Sequence, residues 1–275
     1  MNIIQSSSTI KDEICEIIEN AMIKGNKNIL LFAKSISDSI LSKMNLNQLR
    51  QLLSEILKNK EIYFIRHAQA EHNAYNQSIK NQMHDFMTFT KKKDFVDPGL
   101  TQVGVQQIKE ISEQVVSRNF ETLFISPLRR TIETAINLNC KCTLILSDLI
   151  REMLTSSNKN IGAPLSELKK KDLKMETKYI TKERWWLDID KDEHSNELLH
   201  HQPEERELFK LRVCLFLLWI VFRKEKKILI VSHSKVYKSI SKKKIVNAHI
   251  ELLKPERVIK RCMKIFKIID KANKI

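Results

Sequence analysis

Ile62-Tyr63-Phe64-Ile65-Arg66-His67 decides how this chain folds: four apolar residues run without a break into a guanidinium and an imidazole. An apolar run this short, rich in Ile, Phe and Tyr and closed by polar residues, fits a strand buried on both faces in a parallel sheet. Two more runs have the same build. Leu123-Phe124-Ile125 leads to Ser126 and Arg130, and Ile228-Leu229-Ile230-Val231 leads to Ser232-His233. In open α/β sheets ligands sit beyond the carboxyl ends of the strands, where neighbours deliver their next residues into one crevice. Arg66, His67, Arg130 and His233 are therefore expected to meet. One His after a strand is usually structural, but three strand ends carrying two His and two Arg point to a shared anion site.

Working outward, strands and helices alternate from Glu61 onward, the signature of an α/β domain with a mostly parallel sheet. Thr101 is placed to cap a helix whose apolar face is Val105, Ile108, Ile111 and Val115. Ser126 is expected to cap another, with Pro127 at its first position and Leu128, Ile132, Ala135 and Ile136 toward the sheet. The free N–H groups and positive end of that helix, together with Arg130, would favour an anion. A strand at Thr143–Leu146 leads to Leu149-Ile150-Arg151-Glu152, and a helix from about Pro203 to Arg223 feeds the strand before His233. Two long insertions, Ala74 to Val96 and Met153 to His201, are the expected substrate walls. Near the C-terminus, Ile265 to Ile269 fits either a helix face or a β-rich run, and a final strand is expected.

At 275 residues the chain divides into a helical N-terminal extension, residues 1–60, and a catalytic-size domain, residues 61–275. The extension has apolar faces at Ile14, Ile17, Ile18 and Met22 and at Leu46, Leu49, Leu53 and Leu57. It carries no catalytic cluster, and is expected to pack on the domain or on a second subunit, as a homodimer would. The longest apolar stretch, Val213 to Phe222, is far short of a bilayer span and reads as a buried helix. Asp12 and Glu13 follow a serine cluster with no apolar signal core, so the cytosol is the expected location. Five cysteines without a repeated Cys-x-x-Cys pair fit reduced thiols better than a zinc site. The formal charge of +15 comes mainly from dispersed Lys, which suits steering of small anions more than specific nucleic-acid binding. No Gly-x-x-x-x-Gly-Lys or Gly-x-Gly-x-x-Gly string is present.

The string Arg66-His67-Ala68-Gln69-Ala70-Glu71-His72-Asn73 resembles the Arg-His-Gly signature of the histidine phosphatase superfamily, the group that includes cofactor-dependent phosphoglycerate mutases. Asp97-Pro98-Gly99-Leu100-Thr101-x-x-Gly104 is similar to its Leu-Thr-x-x-Gly helix start. Ser126-Pro127-Leu128-Arg129-Arg130-Thr131-x-x-Thr134-Ala135 resembles its Ser-x-Leu-x-Arg-Ala-x-x-Thr-Ala helix. Arg151-Glu152 and Val231-Ser232-His233-Ser234 resemble its acid-bearing and second-histidine segments, all in the family's order. The likeness is greatest to the phosphoglycerate-mutase-like branch that reads Arg-His-Ala-Gln and carries a Trp before an acidic stretch and a Leu-Trp helix, as Trp185-Trp186 and Leu218-Trp219 do here. The resemblance implies a three-layer α/β sandwich around a mostly parallel sheet, ending in a strand.

It also implies roles that the residue chemistry supports. An imidazole can attack phosphorus in line and split one displacement into two, and His67 is the expected nucleophile. The transferring phosphoryl oxygens need preorganised cations and donors, which Arg66, Arg130 and His233 would supply, with Asn73 and the Ser234 N–H as further substrate-binding donors. Arg129 fits poorly, because the family spacing places its neighbour in the pocket. The leaving alkoxide needs a proton and the second-step water must lose one, work that asks for a carboxyl group and falls to Glu152. With two Arg and a His as clamp, neither metal nor cofactor is expected.

Departures bear on the reaction. Ala68 replaces a Gly and Ala70 a Ser that can donate to phosphate. The mutase branch carries Arg-His-Tyr-Gly after the acid, where Met153-Leu154-Thr155-Ser156 stands here. A mutase must shield its phosphoenzyme from water, whereas a phosphatase need only admit it. Hydrolysis of a small phosphorylated metabolite is thus the leading expectation, with a phosphoglycerate mutase, a catalytically weak scaffold and a charge-driven polyanion binder as alternatives.

Overall fold

The computed structural model describes residues 2–24, 28–81, 95–170, 174–187 and 203–272. Three helices come first: α1 (Asn2–Lys24), α2 (Ile29–Leu41) and α3 (Leu46–Leu57). Strand β1 (Glu61–Arg66) opens the α/β part and is followed by α4 (Glu71–Asn81), α5 (Gln102–Val116), β2 (Thr122–Ile125), α6 (Arg129–Asn137) and β3 (Thr143–Leu146). After two single 3₁₀ turns come α7 (Leu165–Lys170), α8 (Arg206–Phe222), β4 (Lys227–Ser232), α9 (Ser234–Ser241), β5 (Ile250–Leu252), α10 (Pro255–Cys262) and α11 (Lys264–Ala272).

The strands form one sheet in the order β3-β2-β4-β1-β5, parallel except for β5, which runs antiparallel along the free edge of β1. The register aligns the chemistry. Arg66 pairs with Ser232, and Ile125 with Val231, so the residues just beyond β1, β2 and β4 emerge side by side.

Alternate residues of each strand enter opposite cores. Ile62, Phe64, Phe124, Ile228 and Ile230 join the cluster built on α8, while Tyr63, Ile65, Leu123, Ile125, Leu229 and Val231 join the one under α5, α6 and α7. This two-sided burial is why the strands read as continuous apolar runs, and it makes the molecule a three-layer α/β/α sandwich.

Helix α8 is apolar on every side because it is surrounded. Its neighbours are α1, α2, α3, α9, α10 and α11, and its residues from Leu211 to Phe222 are all buried. The expected apolar faces of α1 and α3 are the ones that meet it, through Ile14, Ile18, Leu49 and Leu53, although Leu46 stays exposed. Polar contacts add direction. Glu19 accepts from the Trp219 indole at 3.1 Å and pairs with Arg223, while the Lys60 ammonium caps α8 by donating to the carbonyls of Ile220 (3.0 Å) and Arg223 (2.7 Å). Among the described residues no helix is long and apolar enough to cross a membrane, and the five cysteines are free thiols.

Three local expectations are corrected. Residues 265–269 are not a strand but lie in α11: Ile265, Phe266 and Ile269 form one face packed on α2 and α8, and the sheet edge beyond β1 is already occupied by β5. Ser126 does not cap α6. That helix begins at Arg129 after an extended Leu128 that provides no side-chain cap. Ile136, expected toward the sheet, is exposed. The two insertions also hold regular structure, most of α4 in the first and α7 in the second; the rest of residues 82–94 and 188–202 lies outside the described residues.

Candidate active site

The turn after β1 is held by helix α5. Thr101 caps that helix as expected, accepting from the Gly104 N–H at 3.1 Å, and its own N–H donates to the Gln69 carbonyl at 3.0 Å. Gly104 lies so close to this turn that a Cβ there would stand 2.2 Å from the Gln69 oxygen. The Thr-x-x-Gly spacing therefore presses α5 against the Arg-His turn. From the other side, Thr134 of α6 accepts from the Ala68 N–H at 3.1 Å, and Asn247 donates to the His67 carbonyl at 2.8 Å.

His67 is 3 % exposed, and its ring centroid lies 5.2 Å from that of His233, which is fully buried at the end of β4. The Nδ1 of His67 donates to the Ala68 carbonyl at 2.8 Å, and because a carbonyl can only accept, the proton of the neutral ring resides on Nδ1. Nε2 is left with its lone pair. Burial, then the Arg130 and Arg66 charges, hold the His67 pKa well below its ordinary value, so the ring is neutral at physiological pH. His233 is held down by burial and Arg130 in the same way, and its Nε2 lies 2.7 Å from Ser126 Oγ. Ser126 is thus a partner of the second imidazole.

Both arginines are fixed by carbonyls and amides instead of carboxylates. Arg66 donates to the Ile245 carbonyl at 3.1 Å. Arg130, 1 % exposed in the first turn of α6, donates to the Lys159 carbonyl at 3.0 Å and to Asn160 Oδ1 at 2.9 Å. Burial pulls the Arg130 pKa down to about 10 against the opposing pull of Asp97 and Glu152, which still leaves it charged. Arg129 points away and pairs with Glu133 at 2.6 Å, as its position in the string implies.

Glu152 lies just beyond the 3₁₀ turn after β3. Its carboxylate accepts from the Met153 N–H at 2.8 Å, with the Lys235 N–H of α9 at 3.4 Å, and its charge acts on both Arg66 and Arg130. The segment that carries it is tied to β4 by Ser232 Oγ, which donates to the Ile150 carbonyl at 2.6 Å. Asn73 uses its Oδ1 to accept from the Ala70 and Asn247 amides, and its Nδ2 to donate to His72 Nε2 at 3.1 Å. Ser234 occupies the first position of α9, where its N–H is one of the unsatisfied donors of a helix start.

The structure therefore brings His67, His233, Arg66 and Arg130 together at the carboxyl ends of β1, β2 and β4, with Glu152, Asn73 and the Ser234 N–H at the margin. Two further features lie outside the sequence expectations. His72 is buried with its ring 5.9 Å from that of His67, and because its Nε2 accepts from Asn73, its Nδ1 carries the proton. Burial and the Arg130, Lys159 and Arg66 charges push its pKa down to about 3. The second is a buried ion network behind Glu152. Glu204 binds Arg212 at 2.6 and 2.8 Å and Arg151 at 3.5 Å, while Arg212 also donates to the carbonyls of Leu149 and Arg151, both at 2.8 Å. A lone Arg inside the otherwise apolar run Leu211–Phe222 is its only signal in the sequence.

Four buried nitrogens of this cluster, Arg66 Nε, Arg130 Nε, His72 Nδ1 and His233 Nδ1, have no hydrogen-bond partner among the described residues. An orphaned buried donor costs about 1–3 kcal/mol, so a site that gathers several around two guanidinium groups is built to receive an acceptor-rich anion. Phosphate and its transition state have that character.

Residues 62–273 match the family model of the histidine phosphatase superfamily, branch 1. The chain belongs to that superfamily. Within it, the phosphoglycerate mutase-like protein 1 of Arabidopsis thaliana is 28 % identical over 206 residues, which are 64 % of this chain and 68 % of the relative. Among solved structures, a phosphoserine phosphatase from Entamoeba histolytica aligns at 17 % identity over 72 % of this chain and 99 % of its own, with a TM-score of 0.42. The alpha-ribazole phosphatase of Shigella flexneri aligns at 15 % identity over 69 % of this chain and 88 % of its own, with a TM-score of 0.44. The superfamily comprises enzymes of the phosphatase and mutase type, and this chain is one of them.

Proposed function

We propose that the protein is a metal-independent phosphatase that hydrolyses small phosphomonoesters through a phosphohistidine on His67. The observation that carries this is the Nδ1 bond to the Ala68 carbonyl, which leaves the lone pair of a neutral imidazole on Nε2 in a site charged by the buried Arg130 and the partly buried Arg66. In the first step Nε2 bonds to phosphorus as the ester P–O bond breaks, and Glu152 gives its proton to the departing alkoxide. In the second, Glu152 takes a proton from water as the water oxygen bonds to phosphorus and the P–N bond breaks, which returns phosphate and free His67. Arg66, Arg130 and His233 carry the phosphoryl oxygens through both steps, with the Ser234 N–H and Asn73 at the edge of the pocket.

The name of the Arabidopsis relative makes phosphoglycerate mutase the second reading. The stretch directly after the acid favours hydrolysis. Leu154 turns into the core, 3 % exposed, and its N–H donates to Glu204 at 3.2 Å, so this stretch packs inward, and Glu152 stays partly exposed to solvent. The test is release of inorganic phosphate from p-nitrophenyl phosphate and a panel of phosphorylated metabolites, with and without EDTA. Wild type releases phosphate in both conditions, His67→Ala does not, and Glu152→Gln is impaired most on substrates with poor leaving groups. Isomerisation of phosphoglycerate that requires bisphosphoglycerate and releases no phosphate would overturn the proposal.

A further inference from the structure

A basic groove leaves the candidate active site along α9. Lys235 and Lys238, three residues apart, share one face of that helix, beginning beside Glu152, which the Lys235 N–H approaches at 3.4 Å, and Lys242, the left-handed C-cap of α9, lines the same hollow. Opposite them stand Arg206 and Lys210 at the start of α8 and Arg261 of α10, and together these residues line a cavity of about 450 Å³. No carboxylate of the described residues lines it. Lys210 is paired with Glu207, but Arg206, Lys235, Lys238 and Lys242 make no ion pair among the described residues. A second hollow of about 890 Å³ shares Lys242 and Arg261 and continues the groove over α10 and α11, with Glu256 as its one acidic wall residue among those described.

Such crowding opposes folding. The Lys242 ammonium is pushed below its ordinary pKa by burial and by Arg261, Lys264, Lys210 and Lys260, so these like charges repel one another within the folded chain. Side chains that break a local rule without a compensating contact mark a functional surface. The first hollow is concave and of the size that small ligands occupy, and two of its wall residues, Met153 and Lys235, are the ones whose N–H groups face Glu152.

We propose that this groove is a second anion subsite, selecting phosphomonoesters that carry at least one further phosphate group. At about 1.5 Å per helical residue, Lys238 and Lys242 lie roughly 8 and 14 Å along α9 from His233, so the second phosphate is held within about that distance of the one being cleaved. This inference rests on the phosphatase reading, extends it to a substrate class, and predicts a tail contact that lowers KM without touching the reacting atoms.

The test compares hexanediol bisphosphate with hexyl monophosphate, and both with p-nitrophenyl phosphate, using the full chain and Lys238→Gln/Lys242→Gln. Exposed charge pairs contribute up to about 1 kcal/mol each, so the double variant should lose about tenfold in kcat/KM on the bisphosphate, through KM. Hydrolysis of p-nitrophenyl phosphate should be unchanged. Tripolyphosphate binding to His67→Ala, measured by calorimetry, gives a readout independent of turnover and should weaken about as much when the two lysines are replaced. Equal kcat/KM on bisphosphate and monophosphate, or tripolyphosphate binding indifferent to the two lysines, would overturn the subsite. Binding of single-stranded RNA that needs these lysines, without any preference for the bisphosphate, would likewise reject the small-molecule class. Failure of wild type to hydrolyse even p-nitrophenyl phosphate would instead count against the phosphatase reading.

Discussion

Replacing Arg212 by Met tests the ion network that supports Glu152. Burial alone would raise the Glu204 pKa, but Arg212 and Arg151 outweigh it and take the carboxyl down to about 2, so at neutral pH it is a buried carboxylate that depends on its partners. Arg212→Met leaves it only the Arg151 contact at 3.5 Å and the Leu154 N–H at 3.2 Å. Breaking one side of a buried pair costs about 3–5 kcal/mol. For 275 residues the unfolding entropy near the midpoint is about 0.6 kcal/mol/K, so Tm should fall by roughly 5–9 °C. The double variant Arg212→Met/Glu204→Gln removes the stranded charge, and should recover much of that loss because buried pairs contribute little net stability against apolar replacements. Differential scanning calorimetry at pH 7 measures both. A single variant that melts within about 1 °C of wild type, or a double variant that melts lower than the single, would refute this energetic picture.

The histidine cluster makes stability depend on pH. His67, His72 and His233 are neutral in the folded protein but titrate near pH 6.5 once unfolded, so their contribution to stability is present above pH 6.5 and is lost as pH falls below it, continuing for His72 toward its folded value of about 3. Three such groups give a slope approaching about 4 kcal/mol per pH unit below pH 5.5; urea unfolding from pH 7.5 to 5 should show it, and His72→Gln should remove about a third. A stability that is flat or rises over that range would contradict the neutral assignment. Gly104→Ala would drive a methyl group into the Gln69 carbonyl, so it should cost about 1–3 kcal/mol and lower kcat by displacing the Arg-His turn, read by chemical unfolding and p-nitrophenyl phosphate turnover. An unchanged kcat would show that α5 does not position the nucleophile.

The parts of the fold legible in the sequence are those where burial is uniform. Strands β1, β2 and β4 are covered on both faces, so each appears as an unbroken apolar run, and the residue after each run is automatically at the same end of the sheet. Thr101 and Gly104 are equally readable because a cap and a close approach each demand a residue type. Less is visible where two periods compete or partners are distant. Ile265, Phe266 and Ile269 satisfy a helix stripe and a β-rich composition at once, and only the placement of β5 on the edge of β1 decides between them. Strand β5 itself is three residues, two half-covered and Leu252 exposed, with no pattern of its own. Ser126-Pro127 has the composition of a helix cap, but the hydroxyl is taken by His233, 107 residues away. The Arg212–Glu204–Arg151 network joins residues whose only local sign is a charge inside an apolar helix.

At the centre of the proposed chemistry, the phosphoryl group passes through Nε2 of His67. Rapid acid-free quenching of the enzyme during turnover of ³²P-labelled substrate, with peptide mapping of the quenched protein, tests it directly. The expected result is an acid-labile, base-stable phosphoryl label on the peptide containing His67, lost in His67→Ala and accumulating in Glu152→Gln when the leaving group is good enough to depart without a proton. A label on another residue, or phosphate release by His67→Ala at the wild-type rate, would contradict it.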